Sequence, residues 1–249
     1  MNVLVCVKRV PETGARISLT PDAQAVDDAY LGHTISPHEE CAVEEALRIA
    51  AAHGGSATVL ALGPPAAAEQ LRGALAMGID SAILLETDGS DWDPESSAAV
   101  IAEAARGRKF DLLLFGNESA DSGGYQVGIR VAYALGLPAV TGAKGIELAD
   151  GVAYVRRAAG AGWEIFETPL PAVITVREGI NLPRYPSLPG RLKAKKAELA
   201  TSTAQAPAGG LEKVRLSVPQ DETTPVVVLG EGAAAAPRVV EVLREIGVA

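Results

Sequence analysis

The chain has 249 residues, 48% of them apolar and 21% charged, with a formal net charge of -9; this is the composition of a globular protein and not of a disordered one. Its acidity repels phosphate backbones except where basic residues cluster, which argues against a general nucleic-acid function. No apolar run approaches the ~18 residues of a membrane span and no basic leader opens the chain, so neither export nor direct membrane insertion is expected.

Val3 to Val7 opens the chain as a continuous apolar run, and a helical pattern follows from Glu39 to His53. The alternation repeats as Thr58 to Leu62 then Ala66 to Met77, Ala82 to Leu85 then Ser96 to Arg106, and Leu112 to Phe115 then Tyr125 to Leu135. Such an order predicts an α/β fold with a doubly wound, mostly parallel sheet. Strands apolar throughout their length are what helices on both faces require. From Val140 to Val176 the pattern changes to β-like pieces, Val152 to Arg157, Trp163 to Thr168 and Ala172 to Val176, which read as antiparallel additions to the sheet. Residues 201–210, TSTAQAPAGG, are small and turn-rich. We therefore place a nucleotide-binding domain at 1–200, and at 201–249 a linker and C-terminal arm with a strand-like Val226 to Leu229 and a helical Pro237 to Ile246. An arm of that length is expected to pack on a partner subunit. Cys6 and Cys41 lie in apolar segments without CxxC spacing and read as buried small hydrophobes, as in a reducing cytoplasm.

In an open α/β sheet, ligands bind beyond the carboxyl ends of the strands where the winding reverses. The loops after strands are KRVPE at 8–12, GPP at 63–65 and GNESADSGGYQVG at 116–128. The last is the most informative, because its glycines allow close backbone approach and the amides near Tyr125, Gln126 and Val127 open a helix that can hold a phosphate. A Gly-rich turn without a ligand is the plainer alternative. No Gly-Lys-Ser/Thr follows, so it is not a Walker A loop, and DSGG runs in the wrong order for an ATP pyrophosphatase loop. Nucleotide binding without cleavage is the economical reading.

ISPHEECAVEEALRIA supplies another wall, with Ser36 as N-cap and Pro37 in the first turn. Glu39, Glu40, Glu44 and Glu45 fall where the helix dipole favours negative charge and are expected to be solvated. His38 stands at the mouth of the crevice; His33 and His53 read as ordinary loop and helix-end residues. No metal site and no catalytic constellation can be assigned from the spacing.

Seven segments in order resemble the β subunit of electron transfer flavoproteins: VLVCVKRVPE, SPHEECAVEEALRI, LGPP, LRGALAMGIDSAILL, FDLLLFGN with the Gly-rich loop, PLPAVITV and INLPRYPSLPGRLKAKKAEL, over about residues 2–199. The resemblance implies an adenine nucleotide alpha hydrolase-like, Rossmann-like domain in a heterodimer with an electron transfer flavoprotein α subunit. That α subunit holds most of the redox FAD, while the β subunit buries a structural AMP. Segment matching places the AMP against Cys6, Ser36, Pro37, His38, Glu39, Leu62, Asp121, Ser122, Gly123, Gly124, Tyr125, Gln126, Val127 and Gly128, with Thr13 and His38 near the FAD across the interface. The family's NPF reads SPH here, so an imidazole replaces an aromatic ring. Where related chains carry an acidic-Gly-Gly signature, Arg156 to Glu164 reads RRAAGAGWE, with Ala158 and Gly160 replacing acids. An ion pair that parks the flavin-carrying domain is then expected to be missing, although an exposed pair is worth only ~0–1 kcal/mol.

Residues 184–199 hold five of the chain's 22 Lys and Arg residues. By resemblance this is the loop that anchors a flavin dehydrogenase, commonly an acyl-CoA dehydrogenase of fatty acid oxidation. Leu188 is the apolar anchor between Pro186 and Pro189, and Arg191, Lys193, Lys195 and Lys196 steer an acidic partner. The plainer readings are a core leucine and a solvated basic helix face. The implied function is an electron carrier without catalysis of its own, delivering electrons to a quinone oxidoreductase. Two alternatives remain open here: an electron-bifurcating relative with a second FAD that oxidises NADH, and a non-redox nucleotide module of the universal stress protein type.

Overall fold

The computed structural model describes residues 1–12, 14, 17–207, 209–219 and 226–248. They form a compact unit, Met1–Arg215, and a second unit, Leu216–Ala249.

The first unit is built on a nine-stranded sheet. Strands β1 (Asn2–Val7), β4 (Ser56–Gly63), β5 (Ser81–Glu86), β6 (Leu112–Gly116), β7 (Ala139–Ala149), β8 (Val152–Ala159), β9 (Gly162–Pro169), β10 (Ala172–Val176) and β11 (Ala200–Thr203) lie in the order β11-β5-β4-β1-β6-β10-β7-β8-β9. A small antiparallel pair, β2 (Val10–Pro11) and β3 (His33–Thr34), stands apart from it. Helices are α1 (Pro37–His53), α2 (Ala68–Met77), α3 (Pro94–Ala105), α4 (Val127–Leu135) and α5 (Leu188–Lys196).

Alternation along the buried strands sorts their side chains into two layers. Val3, Val5 and Val7 of β1 join a core with Cys41, Val43 and Leu47 of α1 and Leu71 of α2. Leu4 and Cys6 point the other way, into a core with Ala98 and Ile101 of α3 and Val131 of α4. Helices thus cover both faces, which explains the lack of polar alternation in β1, β4, β5, β6 and β10. The chain winds outward through β4 and β5, then crosses back to place β6 on the other side of β1, so the reversal falls between β1 and β6.

Two strand expectations need correction. Ala172–Val176 is not an antiparallel addition: β10 pairs parallel with both β6 and β7, and its five residues are all buried. Within this sheet only the β7–β8 and β8–β9 pairings are antiparallel, a meander continuing from β7. Residues 201–203, at the start of the expected linker, belong to β11, which pairs parallel with β5 at the sheet edge.

In the second unit, α6 (Ala236–Glu245) forms where the helical pattern predicts, closed by an Arg238–Glu241 ion pair at 2.7 Å. Val226 to Leu229 forms no strand; its valines are exposed and find no strand to pair with among the described residues of the unit.

Candidate functional site

The carboxyl ends of β1 and β6 lie side by side, with Cys6 opposite Phe115 in the parallel register. Onto this point comes the start of α1. Ser36 caps it: its Oγ accepts the Glu39 N–H at 3.3 Å, while Glu39 Oε2 accepts the Ser36 N–H at 2.9 Å. The other Glu39 oxygen accepts the Lys8 N–H at 2.9 Å, and Ser36 Oγ donates to the Glu118 carbonyl at 3.1 Å. Two buried side chains therefore tie the end of β1, the start of α1 and the loop after β6 together. Gly116 makes this approach possible, since a Cβ there would lie 2.6 Å from Glu39 Cγ.

Burial sets the protonation chemistry. It pushes the Glu39 carboxyl up to about 8, against the lowering effect of its two backbone donors and the Lys8 charge. Burial, with a smaller contribution from Glu39, also pushes the Cys6 thiol up, so Cys6 is a neutral apolar wall. Lys8 Nζ reaches across to Asp121 Oδ2 at 2.5 Å. Burial opposes ionisation of Asp121, but the Lys8 charge and hydrogen bonds with Lys8, Ser119 and Ser122 hold its carboxyl below the ordinary value.

Among the described residues, none accepts a hydrogen bond from the amides of Gly124, Tyr125 or Gln126, which stand ahead of α4. Tyr125 holds φ at 56°, a left-handed conformation that costs an ordinary residue energy and often marks functional loops. These free amides suit an anion such as a nucleotide phosphate.

Of the predicted residues, Cys6, Ser36, His38, Glu39 and the 121–126 loop converge on the β1–β6 switch, with Pro37 exposed in the first helical turn. Leu62 is the penultimate residue of β4, one strand away. Val127 and Gly128 begin α4, where Gly128 is buried against Phe115 and Thr175. Thr13 lies outside the described residues. His38 is less free than its position suggested: Nε2 lies 3.0 Å from Glu118 Oε1, and Nδ1 accepts the Glu178 N–H at 3.2 Å. A ring nitrogen that accepts a backbone amide carries no proton there, so the imidazole proton faces Glu118.

The helix acids also need correction. Glu40 is exposed, but Glu39, Glu44 and Glu45 are buried and partnered. Glu44 receives Arg184 Nε at 2.8 Å and Nη2 at 2.9 Å, and Glu45 accepts Asn181 Nδ2 at 2.8 Å. Asn181 Nδ2 also lies 2.9 Å from the Cys41 carbonyl. Burial pushes the Glu44 carboxyl up, but the Arg184 hydrogen bonds and charge outweigh it and hold the group below its ordinary value. Their partners sit on the segment that leads into the basic stretch, which the pattern of one helix cannot reveal. Arg184, one of the five basic residues of the stretch, serves this anchor.

The basic stretch itself contains α5. Ser187 caps it by accepting the Gly190 N–H at 3.1 Å. Arg72 of α2 closes its other end, with Nη1 at 2.5 Å from the Ala194 carbonyl and 3.1 Å from that of Ala197. Gly190 lets the two helices touch, because a Cβ there would collide with the Ala76 carbonyl. Only Ala194 of α5 is buried. Leu188 is 72% exposed, which removes the core alternative, and Leu182, Tyr185 and Leu192 are exposed around it at 91%, 93% and 57%. Sequence reading missed Leu182, Tyr185, Leu192 and Arg72; apolar residues at short spacing among prolines were the available signal.

In the altered block, Arg157 and Glu164 face each other across β8 and β9 and pair at 2.6 Å, with Arg157 stacked on Phe166 at 4.6 Å. Arg156 lies over Trp163 at 4.7 Å. Among the described residues no group of three or more His, Cys, Asp or Glu is placed to hold a metal ion, and no helix is long and apolar enough to cross a membrane.

A doubly wound sheet with a capped helix and a glycine loop at its switch point defines an α/β protein of the open-sheet kind. The chain belongs to the electron transfer flavoprotein β subunit family: the electron transfer flavoprotein domain matches residues 25–207. It is similar to the electron transfer flavoprotein subunit beta of Syntrophomonas wolfei, 36% identical over 97% of this chain and 95% of that protein. The subunits of the same name from Bacillus subtilis and Mycobacterium tuberculosis are each 37% identical, over 80% and 81% of this chain and 77% and 79% of theirs.

Proposed function

We propose that this chain is the β subunit of a heterodimeric electron carrier. It takes electrons from flavin dehydrogenases, acyl-CoA dehydrogenases among them, and passes them to a quinone oxidoreductase. The observation that carries the donor side is the segment from Asn181 to Lys196: it is pinned to α1 by Glu44 and Glu45 and to α2 by Arg72, yet exposes Leu182, Tyr185, Leu188 and Leu192. Exposed apolar side chains on a held backbone lower the ordering cost of docking. Arg191, Lys193, Lys195 and Lys196 surround them and favour an acidic partner surface.

The crevice residues fit an AMP. The amides of Gly124, Tyr125 and Gln126 would take its phosphate, while Cys6, Ser36 and Leu62 supply close, largely apolar walls. FAD, held mainly by the α subunit, supplies reversible one- and two-electron chemistry when bound. This chain contributes a wall at His38, whose two ring nitrogens are fixed by Glu118 and Glu178. Cofactor analysis of the heterodimer purified with its α subunit tests the assignment. One FAD and one AMP per heterodimer are expected. Two FAD would favour a bifurcating carrier, and ATP without flavin would overturn the redox reading.

A further inference from the structure

We infer that Lys8 and Asp121 form a latch across the crevice that a nucleotide phosphate opens, with Lys8 the phosphate ligand and Asp121 the group that holds its place. The inference rests on the nucleotide reading above and adds to it a residue from the end of β1.

Lys8 follows the last residue of β1, and Asp121 belongs to the loop after β6, so their 2.5 Å ion pair spans the two strands between which the winding reverses. The pair stands over the position where a ligand enters such a sheet. The Lys8 backbone is fixed, because its N–H is bound to buried Glu39; its side chain is 45% exposed and remains able to turn. Asp121 is held on the same loop whose amides at 124–126 find no acceptor among the described residues. A phosphate on those amides would share the loop with the Asp121 carboxylate, three residues ahead of them, and two anions on one short loop repel. Asp121 and such a phosphate would compete for the N–H donors of the one ammonium. Transferring Lys8 from carboxylate to phosphate exchanges one charge-assisted hydrogen bond for another, and frees Asp121 to turn to water. No bond is made or broken.

This latch gives the two residues opposite signs, which a shared scaffolding role does not. The heterodimer, stripped of nucleotide, is titrated with AMP and with adenosine by calorimetry. Lys8→Met is expected to weaken AMP by about tenfold and to leave adenosine unchanged. Asp121→Asn is expected to tighten AMP by several-fold, since it removes the competing carboxylate. Weakening of AMP by both substitutions, or equal loss of AMP and adenosine in Lys8→Met, would show a structural pair and overturn the latch while leaving the nucleotide site in place. Absence of AMP binding to the unaltered heterodimer would overturn the nucleotide reading and the latch together. FAD content, measured in each variant, reports whether the heterodimer remains assembled.

Discussion

Glu39 is a carboxyl that the fold accommodates more easily as an acid than as an anion. Its folded value of about 8 stands above the ordinary 4.5, so between those limits the folded chain binds more protons than the unfolded one. Its stabilising contribution is complete below 4.5 and is lost as pH rises toward 8. Urea unfolding midpoints are therefore expected to fall from pH 5 to pH 8 by more in the unaltered chain than in Glu39→Gln; equal slopes would contradict the assignment. Gly116 is the companion of Glu39. A methyl group at Gly116 meets Glu39 Cγ at 2.6 Å, and Gly116→Ala is expected to cost ~1–3 kcal/mol of stability in the same assay. Gly124 bears on the proposed ligand instead: Gly124→Asp places a carboxylate at the loop amides and is expected to deplete AMP from the purified heterodimer, and unchanged AMP content would move the phosphate elsewhere.

At the scale of elements, α1 serves two places at once. Its first turn closes the crevice through Ser36 and Glu39, and one turn later Glu44 and Glu45 hold the segment that carries Leu188. Glu44→Gln and Arg72→Ala are each expected to weaken donor binding by roughly two- to tenfold, the cost of reordering one or two freed side chains. AMP content should be retained, and its loss would show that the anchors support the whole domain instead of the docking segment. The sequence made α1 legible through its cap and its helical period, and the parallel strands through their unbroken apolar runs. It left β10 misread, because a five-residue run of Thr175 and four apolar residues carries no sign of direction; pairing on both sides is decided by the return of the chain from β9. Glu44 and Glu45 were misread for a related reason. A helix start attracts acids whether solvated or buried, and their partners lie about 140 residues on. The AMP-contact list depended on resemblance, but Lys8 and Asp121 meet only because β1 and β6 are neighbours in the sheet.

For the whole molecule, the proposed function gives this chain a crevice wall and a docking segment and leaves the flavin mainly to its partner subunit. Expressed alone, it is expected to purify with little or no FAD; stoichiometric FAD without an α subunit would contradict that division. Neutralising Lys193 and Lys196 together is expected to slow association with an acidic donor at low salt, with a deficit that shrinks as ionic strength rises. The most direct measurement is reduction of the FAD-loaded heterodimer by an acyl-CoA dehydrogenase and its substrate, followed through the flavin absorbance over a range of heterodimer concentrations. Leu188→Ala is predicted to raise the concentration for half-maximal rate by about thirtyfold, the loss of a ~2 kcal/mol anchor, with FAD and AMP content unchanged. An unaltered concentration dependence in a correctly loaded Leu188→Ala heterodimer would contradict the assignment of this chain as the donor-docking subunit.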